Sequence, residues 1–140
     1  MKSILVDSGV WYAIFDPRDP NAEGGLRLAA TIDKHRVVVP WPTMYETLRT
    51  RFVKNTLALH RFELFLKSHR NIAFVDDSQY RDDSFKSVFD SSIRDKRPIS
   101  MADWLLRLII DDANARISYL ATFNVKDFHD VCVRRNIQIV

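Results

Sequence analysis

The chain has 140 residues, of which 46% are hydrophobic and 28% are charged, which fits a single domain (1–140) with a packed core and excludes a disordered chain. No stretch approaches the roughly 20 apolar residues of a membrane span. The start of the chain does not predict a signal peptide, because its apolar run, 4–6, is too short and is followed at once by Asp7. The single cysteine, Cys132, excludes an intrachain disulfide, so we expect a cytoplasmic protein without a membrane partner; the net charge of +3 permits a nucleic-acid partner without requiring one.

Short apolar runs alternate with longer segments of helical spacing along the chain. In chain order, the pattern predicts a strand at 4–6, a helix at 22–35, a strand at 37–39, helices at 42–53 and 57–67, a strand at 72–75, helices at 78–89 and 100–115, and strands at 118–121 and 137–140. The runs are continuous rather than alternating, which is typical of strands covered on both faces. We therefore expect an α/β domain with a doubly wound parallel sheet, whose ligand sites lie at the carboxyl ends of the strands.

Acidic and amide side chains recur at this predicted carboxyl edge. Asp7 directly follows the first strand, and Glu46 lies in the first two turns of the helix that begins where the second strand ends. Asp103 lies in the first turn of the helix that leads into the fourth strand, and Asn124 and Asp127 follow that strand. Four separate segments therefore bring an acid or an amide to one rim of one sheet.

Gathered carboxylates indicate a site for a divalent cation. Packed acids raise one another's pKa unless a cation neutralises them, and carboxylate oxygens suit hard ions such as Mg²⁺ and Mn²⁺. Such an ion lowers the pKa of a bound water and stabilises the charge that develops on a phosphate. The pattern is therefore typical of metal-dependent hydrolysis of a phosphate ester.

Most of these side chains also have an ordinary structural interpretation. Asp7 could start a turn, with Ser8 capping the next helix. Glu46 could pair with Arg49 at i,i+3 on a helix surface. Asn124 and Asp127 could be loop residues.

The helix at 100–115 has the strongest structural alternative. Ser100 and Asp103 have the spacing of a capping box, with Asp at the third helical position. Asp103, Arg107 and Asp111 also have the spacing of an i,i+4 charge ladder on one face. A cap and a metal ligand are compatible, because the amino terminus of a helix stabilises a carboxylate.

Basic and aromatic side chains near the rim suggest a polyanionic substrate. Positive charges beside the acids would bind backbone phosphates, although a solvated charge run is the alternative. The candidate RNA-backbone contacts are Arg49, Arg94, Lys96 and Arg97. Trp11 and Tyr12 could stack on a base, although such residues are more often part of a core or an interface.

Four segments resemble the motifs of PIN-domain nucleases. Residues 4–11 resemble the first motif, 42–48 the second and 100–105 the third, and 120–128 resemble the final Thr-x-(Asp/Asn)-x-x-Asp-Phe motif. The four occur in the family's order and span nearly the whole chain. The resemblance implies a three-layer Rossmann-like PIN domain with a central, mainly parallel sheet flanked by helices. It also implies an Mg²⁺- or Mn²⁺-dependent endoribonuclease that leaves a 5′-phosphate and a 3′-hydroxyl.

The resemblance also implies roles for the rim residues. Asp7, Glu46 and Asp103 would bind the metal and, with Asn124 or Asp127, form the catalytic set. Many members carry Asp where this chain has Asn124, and some use Asn there with an Asp three residues later. The resemblance therefore implies that Asn124 or Asp127 would complete the site or help to hold a second ion.

Two hydroxyl residues and the short chain extend the resemblance. Ser8 and Thr122 would orient the carboxylates by hydrogen bonds. A chain of this length without an appended domain is similar to the toxin members of bacterial toxin–antitoxin pairs. That likeness implies RNA as the substrate, a small antitoxin protein as the partner and a homodimer.

Two other functions compete with the nuclease. The same fold could bind RNA or protein without cutting, an alternative motivated by Asn124. A metal-dependent phosphatase acting on small molecules also uses an Asp at the end of a strand. However, the aspartyl-phosphate type has a second Asp two residues later, where this chain has Gly9.

Overall fold

The computed structural model describes all of residues 1–140, which form an α/β domain around one five-stranded sheet. The strands are β1 (Ser3–Val6), β2 (Arg36–Pro40), β3 (Ile72–Val75), β4 (Tyr119–Ala121) and β5 (Gln138–Ile139). They are ordered β3-β2-β1-β4-β5, and all four pairings are parallel. The parallel α/β sheet predicted from the sequence is therefore confirmed.

Eight helices flank the sheet. They are α1 (Ser8–Phe15), α2 (Ala22–Ile32), α3 (Trp41–Thr47), α4 (Thr50–Val53), α5 (Thr56–Ser68), α6 (Ser78–Phe89), α7 (Met101–Asp111) and α8 (Val125–Arg135). A π-helical turn at Asp90–Arg94 continues α6, and a 3₁₀ turn at Ala113–Ala115 follows α7. None of these helices has the length and apolar character needed to cross a membrane.

Hydrophobic side chains pack on both faces of the sheet, so the domain has three layers. Ile4 and Val6 of β1 join a core with residues of α1, α2 and α5, whereas Leu5, between them, joins a second core with α6, α7 and α8. Successive residues of a strand point to opposite faces. Because both faces are buried, the strands appear in the sequence as continuous apolar runs.

Several predicted boundaries differ from the structure. The helix expected at 42–53 is divided into α3 and α4, because Arg49 between them is extended (φ −75°, ψ 167°). Within α3, the hydroxyl of Thr47 donates to the carbonyl of Thr43 at 2.6 Å, a type of bond that bends helices near their ends. The helix expected at 100–115 ends at Asp111, and the strands expected at 118–121 and 137–140 are shorter than predicted.

Two helices were not predicted from the sequence, and both begin at the carboxyl edge of the sheet. The first, α1, follows β1 and contains the apolar run 10–15, which has no polar stripe to reveal a helical period. The second, α8, follows β4 and has Asp127 in its first turn. Asp127 is therefore a helical residue, and Asn124 is the residue that precedes this helix.

Candidate active site

Asp7 is fixed between β1, α1 and β4. Its backbone N–H donates to the carbonyl of Ala121 at 3.0 Å, which continues the pairing of β1 with β4. The backbone N–H of Ser8 donates to Oδ1 at 2.8 Å, and the hydroxyl of Thr122 donates to Oδ2 at 2.8 Å. The residue is only 7% exposed. Burial raises the pKa of Asp7, and the hydrogen bonds from Thr122 and Ser8 offset this effect in part.

Ser8 was a candidate cap of the next helix, and Ser8 and Thr122 were expected to orient the carboxylates. The structure agrees with these expectations only in part. Asp7, not Ser8, is the residue that caps α1. Ser8 orients Asp7 through its backbone N–H. Thr122 is buried, so its hydroxyl holds the Asp7 carboxylate from inside the protein.

Asp103 is both a first-turn residue of α7 and a member of the acidic rim. Its backbone N–H donates to the hydroxyl of Ser100 at 3.2 Å, so the predicted helix cap is present. Burial of the carboxyl group, followed by the negative charges of Asp7, Glu46 and Asp127, raises the pKa of Asp103 to about 7. The same residue therefore begins the helix and faces three other acids.

Asn124 connects two of the acids through its amide group. Its Nδ2 donates to Oδ2 of Asp127 at 2.8 Å and to Oδ2 of Asp103 at 3.3 Å. Its backbone N–H donates to the hydroxyl of Thr122 at 3.0 Å, which links it to the residue that holds Asp7. In this arrangement Asn124 acts as a donor to the acids, and Asp127 provides the carboxylate.

Glu46 approaches the rim from α3, which is anchored to α1. Burial of its carboxyl group, followed by the charge of Asp7, raises the pKa of Glu46, although the residue as a whole is exposed. The hydroxyl of Tyr12 donates to the carbonyl oxygens of Glu46 and Thr47. Glu46 and Arg49 form no direct ion pair, although the charge of Arg49 offsets part of the rise in the pKa of Glu46. The Arg49 guanidinium lies 5.0 Å from the centre of the Tyr12 ring.

None of the four rim carboxylates forms an ion pair within the chain. The acids that do pair with arginine or lysine side chains lie elsewhere: Asp16, Glu63, Asp77, Asp90, Asp111 and Asp130. No group of three or more Asp, Glu, His or Cys side chains is arranged to hold a metal ion as it stands. The rim therefore combines carboxylates that have no ion-pair partner with an open arrangement of those carboxylates.

The expected RNA-backbone contacts are partly engaged in other interactions. Arg94 pairs with Asp90, and Arg97 pairs with Asp130 at 3.2 Å. Lys96 is exposed and has a left-handed backbone (φ 54°). Exposed ion pairs contribute only about 0–1 kcal/mol, so these arginines can exchange their partners for a phosphate.

Arg107 couples α7 to α8, a role that its sequence pattern does not predict. The predicted ladder with Asp103 and Asp111 is wrong, because Arg107 is 6% exposed and its two terminal nitrogens donate to Asp130 at 2.7 and 2.8 Å. It also donates to the backbone carbonyl of Asp127 at 2.6 Å. Arg107 therefore holds the first turn of α8 against the helix that carries Asp103. The only sequence signal for this role is that Arg107 lies among the apolar residues in the middle of α7.

Comparisons with known proteins extend the description of the fold. No protein-family model matches the chain, and no curated protein matches its sequence. A chain in the crystal structure of VapBC2 from Rickettsia felis, bound to a DNA fragment from their promoter, superimposes with a TM-score of 0.59 at 15% sequence identity. The superposition covers 99% of the present chain and 97% of that chain. At this level of identity, the likeness shows that the two chains share a fold.

Proposed function

We propose that the chain is a divalent-metal-dependent endoribonuclease of the PIN-domain type. The observation that carries this proposal is the acidic rim, where the carboxylate that follows β1 and those of α3, α7 and α8 converge and none forms an ion pair. The order of the four sequence motifs and the shared fold support the same assignment. Strongly perturbed acids at the carboxyl edge of a parallel sheet are typical of a catalytic site.

The donor set fits Mg²⁺ or Mn²⁺. The raised pKa of Asp103, about 7, reflects negative charge that a divalent ion would neutralise. Mg²⁺ is usually held by one or two carboxylates together with several waters, so it does not need a closed protein cage. The open arrangement of the rim is compatible with that mode of binding. Asp7, Glu46 and Asp103 would hold the ion, and Asp127 would complete the site.

Each residue of the rim then has a defined task. A bound ion would supply a water of lowered pKa and neutralise charge on the phosphate. Thr122 and the N–H of Ser8 keep the Asp7 carboxylate in one orientation. Asn124 donates to both Asp103 and Asp127 and so limits their separation. This preorganisation reduces the rearrangement that ion and substrate binding require.

Cleavage of a labelled, structured RNA with Mn²⁺ or Mg²⁺ tests the proposal. Asp7→Asn and excess chelator should each reduce the rate by on the order of 100-fold or more, because both remove metal binding. Asp82→Asn, which changes an exposed acid on α6, is the matched control and should cut at the wild-type rate. The products should carry a 5′-phosphate and a 3′-hydroxyl. Intact RNA, or equal cutting by Asp7→Asn, would contradict the proposal.

The same assay separates the nuclease from its rivals. A binding module without catalysis is the second candidate, because Asn124 donates to the acids and no ready-made metal cluster is present. RNA that stays bound and intact with Mn²⁺ would support that module. Turnover of a simple phosphomonoester would instead support a small-molecule phosphatase.

We also propose that the chain is the toxin of a toxin–antitoxin pair, with a small antitoxin partner and a homodimeric state. The likeness to a chain of the VapBC2 complex supports the toxin role and the antitoxin partner, whereas the homodimer is proposed from the family resemblance alone. Expression of the wild type should arrest growth, and co-expression of a small protein from an adjacent gene should relieve the arrest. Asp7→Asn should not arrest growth. Light scattering of the purified chain tests the dimer, and a monomer mass at micromolar concentration would contradict it.

A further inference from the structure

A pocket of about 450 Å³ lies beside the acidic rim, between the end of α1, the loop that leads to α2, and α4. The residues that matter here are Tyr12, Arg18, Arg49, Arg51 and Phe52, and together they define the arginine pocket. We infer that the arginine pocket binds a nucleotide of the RNA strand, next to the phosphodiester held at the acidic rim. This inference rests on the proposed function, because it takes RNA as the substrate.

The arginine pocket offers free guanidinium groups. Arg49 and Arg51 form no ion pair within the chain. Each guanidinium carries five N–H donors in a planar fork that matches a phosphate. The two acids that line the pocket, Asp16 and Asp19, each accept a backbone N–H of their own loop, at 3.0 and 2.8 Å. Arg18 pairs with Asp16 at 3.7 Å, whereas Arg49 and Arg51 have no acidic partner. The lining therefore contains three arginines against two aspartates and carries a net positive charge.

An aromatic floor supports these charges. The Arg49 guanidinium lies 5.0 Å from the centre of the Tyr12 ring, and the Phe52 ring meets Tyr12 at 5.3 Å, edge to face. Phe52 is only 3% exposed, so the floor is held by the core. Stacking on an aromatic ring orients a guanidinium and leaves its N–H edge free for an anion. The volume exceeds that of a single phosphate and leaves room for a sugar or base.

The arginine pocket shares a wall with the acidic rim. The hydroxyl of Tyr12 donates to the backbone carbonyl of Glu46, so one aromatic ring forms the floor of the pocket and holds the helix of a rim acid. Arg49 follows Glu46 by three residues and lies over the same ring. An RNA strand with one phosphate at the carboxylates therefore reaches the pocket by passing over Arg49. This continuity favours a nucleotide of the substrate over an unrelated anion.

Salt-dependent binding of a short single-stranded RNA tests the inference without requiring cleavage. Fluorescence anisotropy is measured with excess chelator, which prevents metal-dependent cutting. For single strands, the slope of log K against log salt concentration changes by about 0.7 for each phosphate contact. Arg51→Gln should therefore flatten the slope by about 0.7 and weaken binding on the order of fivefold near 0.15 M salt. Arg51→Lys should retain most of the slope.

The matched control is Arg70→Gln, an exposed arginine just before β3, at the amino edge of the sheet. Its slope and affinity should equal those of the wild type. Circular dichroism melts of all variants show whether each is folded. If Arg51→Gln does not fold, Arg18→Gln replaces it, since Arg18 is a highly exposed side chain of the same pocket.

The outcomes separate the arginine pocket from the proposed catalysis. An unchanged slope in Arg51→Gln overturns the pocket, even if RNA is still cut. Wild-type protein that binds no RNA, or that releases RNA equally well to polyglutamate, overturns it as well. If the slope depends on Arg51 but RNA is never cut with Mn²⁺, the pocket stands and the nuclease fails.

Discussion

Replacement of Asp103 by Asn should stabilise the folded protein at neutral pH while removing a proposed metal ligand. Burial and three neighbouring acids raise the pKa of Asp103 from 3.8 to about 7. Each tenfold change in proton affinity corresponds to about 1.4 kcal/mol, so this difference corresponds to about 4 kcal/mol of destabilisation when the carboxyl group is ionised. Water and salt screen charges at a rim, and we therefore expect a gain of about 2 kcal/mol in Asp103→Asn.

The expected gain depends on pH in a defined direction. The pKa of Asp103 is higher in the folded state than the unfolded value of 3.8, so the folded state binds its proton more tightly. Below about pH 4 the carboxyl group is protonated in both states and contributes nothing. Stability is lost as the pH rises from about 4 to about 7 and stays constant above that range. The advantage of Asp103→Asn should therefore grow across this window.

Urea unfolding with chelator at low ionic strength, at pH 4.5 and pH 7.5, measures this effect. The free energy of unfolding of Asp103→Asn should exceed that of the wild type by about 2 kcal/mol at pH 7.5 and by much less at pH 4.5. Asp82→Asn, on the exposed surface of α6, controls for the general effect of removing one acid. No gain at pH 7.5, or an equal gain at both pH values, would refute the charge-repulsion argument.

Substitutions at three further positions test other contacts. Thr122→Val should weaken Mn²⁺ binding by roughly 10- to 100-fold in calorimetry, because Asp7 loses its buried donor, whereas Thr122→Ser should bind as the wild type does. Asp130→Asn should lower the free energy of unfolding by about 2 kcal/mol in urea, because it leaves the buried Arg107 without its charged partner. Since Arg107 lowers the pKa of Asp130, this contribution is present at neutral pH and lost only as the pH falls through the acidic range, and the two proteins should converge there. Gly25→Ala should lower the melting temperature by several degrees, because its Cβ would overlap the backbone of α1.

The sheet could be predicted from sequence because of how it is buried. Both faces of β1 and β2 are covered, so their residues form continuous apolar runs that are short and easily recognised. The carboxyl-edge rule then placed Asp7, Glu46, Asp103 and the segment after β4 at one rim, and charge interactions among the four acids are consistent with that placement. The rule is topological, so it tolerates errors in helix boundaries.

Contacts between distant residues could not be predicted in the same way. The bonds from Tyr12 to the Glu46 carbonyl and from Arg107 to Asp130 join residues 34 and 23 positions apart. Neither pair has a local sequence pattern, because each depends on how two helices pack. The sequence also could not show that Asn124 donates to Asp127, since an amide side chain can act either as a hydrogen-bond donor or as a metal ligand.

The ion pairs of the chain do not include the four acids of the rim. The chain has 21 basic residues against 18 acidic ones, so unpaired acids do not result from a shortage of cations. Arg97 and Arg107 both pair with Asp130 of α8. Asp127 lies three residues earlier in the same segment, and its side chain accepts a hydrogen bond only from the neutral amide of Asn124. An ion pair at Asp103 or Asp127 would stabilise the fold, yet the arginines are directed elsewhere. Acids that raise one another's pKa at the expense of stability are typical of functional sites, which agrees with the proposed role of the rim.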